Sequence, residues 1–147
     1  MMSNIIVIMF ILFNTTISGL YFTFSNTIMP VLKQEEDARI GIRIMNRIND
    51  VIQNSPFFLL FFGSPLLAVA MVLMNMNSIL FWVGSLLHII GSFLVTIVKN
   101  VPWNNRLMNE ADETSWQEYV SEWTRWNTIR AIVGLLASTI ILLELFY

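Results

Sequence analysis

Between Lys99 and Arg130 the chain gathers its densest group of tryptophan, asparagine and arginine: Asn100, Trp103, Asn104 and Asn105 at one end, Trp123, Trp126, Asn127 and Arg130 at the other. Carboxamides donate hydrogen bonds without titrating, and a guanidinium carries permanent charge. Asn100, Asn104, Asn127 and Arg130 can therefore serve together as hydrogen-bond donors beside a fixed positive charge. Trp103, Trp123 and Trp126 offer faces on which a flat polycyclic ligand can stack. A general base is harder to find. His88, the one histidine, lies deep in an apolar stretch, and Tyr21 would need a strongly lowered pKa to act as one. The candidate catalytic residues are thus Asn100, Asn104, Asn127, Arg130, His88 and Tyr21. The candidate ligand-binding residues are Tyr21, Asn49, Asn100, Trp103, Asn104, Trp123, Trp126, Asn127 and Arg130. With no cysteine and a single histidine, neither a thiolate nor a multi-histidine metal site is expected, and no cofactor motif is present.

The same residues have a structural reading. Tryptophan and tyrosine anchor helices at membrane interfaces, asparagine caps helix ends and stabilises turns, and arginine snorkels to head groups. That reading suffices for Trp116 and Tyr119, which are expected to be interface anchors. For His88 it is a neutral imidazole hydrogen-bonded to a neighbouring helix. It explains less well why asparagines flank tryptophan and arginine at both ends of one connector, a pattern that favours a pocket. An arginine at a span boundary needs acceptors, so Arg130 is expected to pack against Asn100 or Asn104.

The elements that position these groups are membrane helices. Hydrophobic residues make up 56% of the chain and charged residues 12%, against roughly 25% charged in soluble domains. No charge occurs from Met1 to Leu32 or from Val51 to Val98. A span needs about 20 apolar residues, so the second stretch holds two. The expected architecture is all-α: a single domain, residues 1–147, forming a transmembrane four-helix bundle. Its spans are expected at about 4–29, 56–74, 79–98 and 127–147. An amphipathic interfacial connector occupies 33–50, and the second connector, 100–126, ends in a capping helix that extends the fourth span.

Local signals refine this. Residues 1–32 carry no Lys or Arg, so a retained first helix is expected rather than a cleaved signal peptide. Pro30 ends or kinks it. Asn14, Ser18, Tyr21 and Ser25 share one face, which is expected to turn toward other helices, with Asn14 and Ser18 as interhelical hydrogen-bond glue. In the first connector Glu35, Glu36 and Asp37 suit a helix N-terminus. Ile44, Ile48 and Val51 or Ile52 form an apolar seam there, while Arg39, Arg43 and Arg47 face lipid phosphates. Ser55-Pro56 starts span two, and Ser115 to Glu118 reads as a capping box.

All eight Lys and Arg residues fall in or beside the two connectors: Lys33, Arg39, Arg43 and Arg47 in the first, Lys99, Arg106, Arg125 and Arg130 around the second. The positive-inside rule makes that side cytoplasmic and puts both termini outside. The expected setting is a multi-pass protein of a bacterial cell membrane. Its partners are the bilayer and a small lipophilic or aromatic molecule, with room for a homo-oligomer. A net charge of −2 gives no reason to expect nucleic acid.

Gly19-Leu20-Tyr21-Phe22-Thr23-Phe24-Ser25, Met29-Pro30, Met45-Asn46-Arg47-Ile48-Asn49, Asn100-Val101-Pro102-Trp103-Asn104 and Trp123-Thr124-Arg125-Trp126-Asn127-Thr128-Ile129-Arg130 together resemble the anthrone oxygenase-like family of small four-helix membrane proteins. The resemblance implies this fold, and for some fungal members a cofactor-independent oxidation of anthrones to anthraquinones; most bacterial members have no established activity. Family members commonly carry histidine after the Trp-Asn pair, where this chain has Thr128. Two readings follow. The chain is a membrane protein that binds a lipophilic or aromatic ligand, lipid or partner at the cytoplasmic mouth of the bundle. Alternatively it is a cofactor-independent, anthrone oxygenase-like enzyme. Thr128 in place of the expected base favours the first.

Overall fold

A computed structural model describes residues 2–110 and 112–146. Among them all regular structure is helical: α1 (Met2–Thr23), α2 (Met29–Lys33), α3 (Ala38–Ile52), α4 (Ser55–Met74), α5 (Ile79–His88), α6 (Val101–Asn109) and α7 (Glu113–Glu144). Four continuous helical stretches, Asn4–Lys33, Ser55–Met74, Ile79–Asn109 and Glu113–Glu144, are long and apolar enough to cross a membrane. They form a bundle in which α7 packs along α1 and α5, α4 packs on α1, and α4 and α5 close the ring. Large apolar side chains such as Leu12, Leu59, Leu66, Leu86, Ile90 and Ile132 stay on the outside, as a bundle solvated by lipid rather than water requires.

Two of the four stretches run past their expected ends. The first continues through Pro30 to Lys33, and the third continues through Pro102 to Asn109, where the sequence suggested span ends near 29 and 98. Both prolines sit just beyond π-helical turns, at Phe24–Ile28 and at Thr96–Asn100. The amide of Met29 bonds the carbonyl of Phe24, and that of Val101 bonds the carbonyl of Thr96, five residues back in each case. A proline removes one donor and its ring crowds the carbonyl four residues back. Widening the turn before it accommodates the ring without ending the helix. A third π-helical segment, Ile89–Leu94, follows α5 directly.

The start signals hold with small shifts. Asp37 caps α3, its carboxylate accepting from the Arg39 amide at 2.9 Å. Span two is capped by Asn54 rather than Ser55, with Pro56 in the first turn. The last helix begins at Glu113, before the expected capping box. Asp112 is its cap and Ser115 the reciprocal partner: the Ser115 amide donates to Asp112 Oδ1 at 2.7 Å, and the Asp112 amide donates to Ser115 Oγ at 3.0 Å. At about 1.5 Å per residue this helix is far longer than a hydrocarbon core, so its first turns stand beyond it. The expected end of span four at Tyr147 lies outside the described residues.

The connector helix α3 buries Gly41, Ile42, Met45 and Asn49 and leaves Ile44 and Val51 exposed. This corrects the expected seam, of which Ile48 and Ile52 keep partial burial. The choice of face follows from Gly41, where a Cβ would collide with the Trp116 ring. Only that face lets α3 lie close against α7.

Candidate functional site

α1 and α7 are tied at two levels. Near mid-helix, Asn14 Nδ2 donates to Gly134 O at 2.7 Å and to Ser138 Oγ at 2.9 Å, and Ser18 Oγ lies 3.5 Å from Asn14 Oδ1. Asn14 and Ser18 are fully buried; Asn14 is the interhelical glue expected of it, whereas the hydrogen bond of Ser18 stays within α1.

The second level surrounds Arg130, which is 5% exposed. Its Nε and Nη2 donate to Asn127 Oδ1 at 3.0 and 2.6 Å, and its Nη1 donates to Thr96 Oγ1 at 2.9 Å. The guanidinium lies 3.7 Å from the Tyr21 ring centre and 5.6 Å from that of Trp123. Asn127 Nδ2 donates in turn to Tyr21 O and to Ser25 Oγ, both at 2.6 Å. Every hydrogen bond of Arg130 thus goes to a neutral group, and its charge is met by two ring faces. The expected acceptors, Asn100 and Asn104, are engaged elsewhere: Asn100 Nδ2 donates to Trp123 O at 3.1 Å, and Asn104 Oδ1 accepts from Tyr119 Oη at 2.9 Å. Thr96 takes their place because the π-helical turns swing it inward.

The aromatics divide differently from the sequence reading. Trp116, Tyr119 and Trp123 form one buried stack, with ring centres 5.9 and 5.6 Å apart, and Phe24 meets Trp123 edge-on at 5.8 Å. Trp116 and Tyr119 are therefore core residues of the mouth of the bundle, not interface anchors; α3 covers them through Gly41, Ile42 and Met45. Asn49 is buried on the same face of α3. Trp103 and Trp126 stay half-buried and carry cations instead. Arg106 lies 5.1 Å from Trp103, and Lys99 and Arg125 lie 4.8 and 5.7 Å from Trp126. His88 is not part of this assembly. It is buried against Phe10, ring centres 5.3 Å apart and edge-on, and neither ring nitrogen has a hydrogen-bond partner among the described residues. The interhelical hydrogen bond expected of it is not formed.

An open cleft of about 930 Å³ lies between α2 and the first turns of α7. Met29, Pro30, Trp116 and Val120 give it apolar walls, Lys33 and Arg125 flank it, and Thr124 and Thr128 contribute hydroxyls. No residue of the expected ligand set lines it. Asn127 and Arg130 connect to it through Ser25 and Thr128, the Thr128 Oγ1 being 2.9 Å from Ser25 Oγ and 2.8 Å from Thr124 O.

Thr96, Asn100, Trp123, Asn127, Thr128 and Arg130 all fall within residues 56–140, which match the family model described as anthrone oxygenase. That is more than half of the chain. The chain belongs to the anthrone oxygenase family. No curated protein and no solved structure matches it. The anthrone oxygenase match begins at α4, so Tyr21, Ser25 and Asn49, though packed with the matched part, lie outside it.

Sequence reasoning missed Thr96, Ser25 as a partner of Asn127, and the walls of the cleft. One signal was available. His88, Ser92, Thr96 and Asn100 recur every fourth residue and are all buried. In an ideal α-helix each such step drifts by about 40°, so four positions would leave one face. Two π-helical segments within 89–100 remove the drift.

Proposed function

We propose that this member of the anthrone oxygenase family binds a small, flat lipophilic or aromatic molecule in the cleft between α2 and α7, at the cytoplasmic mouth of a bundle whose termini face outward. The observation that carries this reading is the cleft itself. It pairs apolar walls from Met29, Pro30, Trp116 and Val120 with a few hydroxyls and the cations Lys33 and Arg125, the mixture typical of small-molecule sites. A molecule partitioned in the bilayer would meet this cleft at the interface, where all the Lys and Arg of the chain lie. Arg130 and the asparagines support the site from behind rather than lining it.

The test is saturable binding of emodin anthrone to the purified protein in lipid nanodiscs, read by quenching of tryptophan fluorescence, with Trp116 in the cleft wall as reporter. Binding is expected to weaken at least about tenfold in Val120→Trp, which fills the cleft. Quenching that never saturates, or that Val120→Trp leaves unchanged, would overturn the reading. Anthraquinone formation by the same preparation, lost in Asn104→Ala and Arg130→Ala, would replace the binding reading with the enzymatic one.

A further inference from the structure

Unsatisfied polar groups gather at the middle of the bundle, far from the cleft. Ser64 Oγ, like both ring nitrogens of His88, is buried and has no hydrogen-bond partner among the described residues. Pro65 stands inside α4 and supplies no amide to the carbonyl four residues back, that of Phe61. These groups lie at one level. α4 and α5 run in opposite directions from the turn at 75–78. Ser85 Oγ donates to Ala68 O at 3.3 Å, and the rings of Phe61 and Phe93 meet at 4.9 Å between centres. Ser64 and Pro65 fall between those two contacts on α4, and His88 falls between them on α5.

The other helices close the level off. From α1, Phe10 meets His88 edge-on, and the Phe13 ring fills the space over Gly63. From α7, Ile141 packs on Gly84 and Val133 on Gly91. No element brings a charge here: residues 1–32, 51–98 and 131–143 carry none. The nearest charge on α7 is Arg130, held at the level of Thr96, about two turns of α5 away. A neutral imidazole offers one N–H and one bare nitrogen, and a serine hydroxyl adds an O–H. With the Phe61 carbonyl, the level presents two donors and two acceptors and no charge. Water gives two hydrogen bonds and accepts two, and it is the usual partner of buried polar groups that side chains leave unsatisfied. An ion would have no counter-charge at this depth. The π-helical segment Ile89–Leu94 begins directly after His88, and such turns are frequent where a helix serves a site.

We infer that His88, Ser64 and the Phe61 carbonyl form an internal hydration site at the middle of the membrane, through which the His88 ring exchanges its proton with water. The ring nitrogens point apart, so at least two waters are required. His88 is the one histidine of the chain, and [15N]histidine labelling of the full-length protein in liposomes therefore reports this site alone. Solid-state NMR transfer from water protons is compared for the ring nitrogens and for the His88 backbone amide, which is sealed in the helix. Ring signals should build up at least about threefold faster than the amide, and Ser64→Ala should cut that ratio about twofold. Ser64→Thr, which keeps the hydroxyl, and Ser85→Ala, whose hydroxyl has its partner in Ala68 O, should match the wild type. Ring signals as slow as the amide in the wild type overturn the hydration site. An unchanged ratio in Ser64→Ala overturns it too, because the water then does not depend on Ser64. An equal loss in Ser64→Thr or Ser85→Ala also overturns it, because packing rather than the hydroxyl is then responsible.

Discussion

Asn14 and Asn127 do the same mechanical work, since each cross-links α1 to α7 through a buried carboxamide, yet their surroundings differ in kind. Around Asn14 every partner is neutral and close by: Gly134 O, Ser138 Oγ and Ser18 Oγ. Nothing is left to satisfy, and nothing in that network leads outward. Around Asn127 the carboxamide is held by Arg130 on one side and bonds Ser25 on the other, and Ser25 leads to a threonine in an open cleft. Interhelical hydrogen bonds in membranes are worth about 0.6–2 kcal/mol each. A guanidinium costs about 2.5–3.5 kcal/mol at the centre of a span on insertion scales, more than any one such bond, and less toward its ends. The first network therefore serves stability, whereas the second carries a cost that stability does not explain.

The largest expected effect sharpens the Asn14 side. A Cβ at Gly134 would collide with Ser18 Oγ, so Gly134→Val should force α1 and α7 apart. It should lower stability by about 2–3 kcal/mol, seen as a large drop in the thermal midpoint in detergent. The next effect sets the two networks against each other. Asn14→Leu leaves Ser138 and the Gly134 carbonyl without their donor and should cost about 1–2 kcal/mol. Arg130→Met removes a buried charge together with its hydrogen bonds, and its stability should stay within about 1 kcal/mol of the wild type or rise. Matched losses in parallel thermal unfolding would break the distinction between glue and site.

The smallest effect lies at the mouth. The Ser115 amide and hydroxyl hold the Asp112 carboxyl below its ordinary value of 3.8. A group whose pKa is lower when folded adds stability above its unfolded value and loses it as pH falls through the folded one. Fraying of the first turn of α7 should therefore begin only below about pH 4. The protection factor of the Ser115 amide should show it, and Asp112→Asn should make that protection independent of pH across that range. Asp112 is exposed, so the effect on global stability should be slight.

Much of the fold was legible because lipid imposes simple rules. Two long uncharged stretches, a proline after a capping residue and the clustering of every cation on two connectors were enough for four helices. The polar face of α1 was legible for the same reason: a carboxamide or hydroxyl in hydrocarbon must find a partner; Asn14 and Ser25 found theirs on α7, and Ser18 found its own in Asn14. The prolines misled. Pro30 read as an end or kink and span three as closing near Val98, but π-helical turns upstream carried the chain past Pro30 and Pro102, and such turns leave little trace in residue type. Trp116 and Tyr119 misled for a different reason. Their types suit a membrane interface and a buried stack equally well, and only the approach of α3 at Gly41 decided between them.

The residues of the site divide along the same line. The sequence determined that Tyr21, Trp123, Asn127 and Arg130 are unusual where they stand, because a charge and a carboxamide beside membrane spans need explanation from composition alone. The tertiary structure decided that Arg130 bonds Asn127 and Thr96 rather than Asn100 or Asn104. It decided too that the open cleft belongs to Met29, Trp116 and Thr128 and not to the tryptophans nearest the arginine. The physical reason is rotational register. Each π-helical turn inserts a residue and turns the rest of its helix, so the face a side chain occupies depends on backbone bonds that no side chain announces.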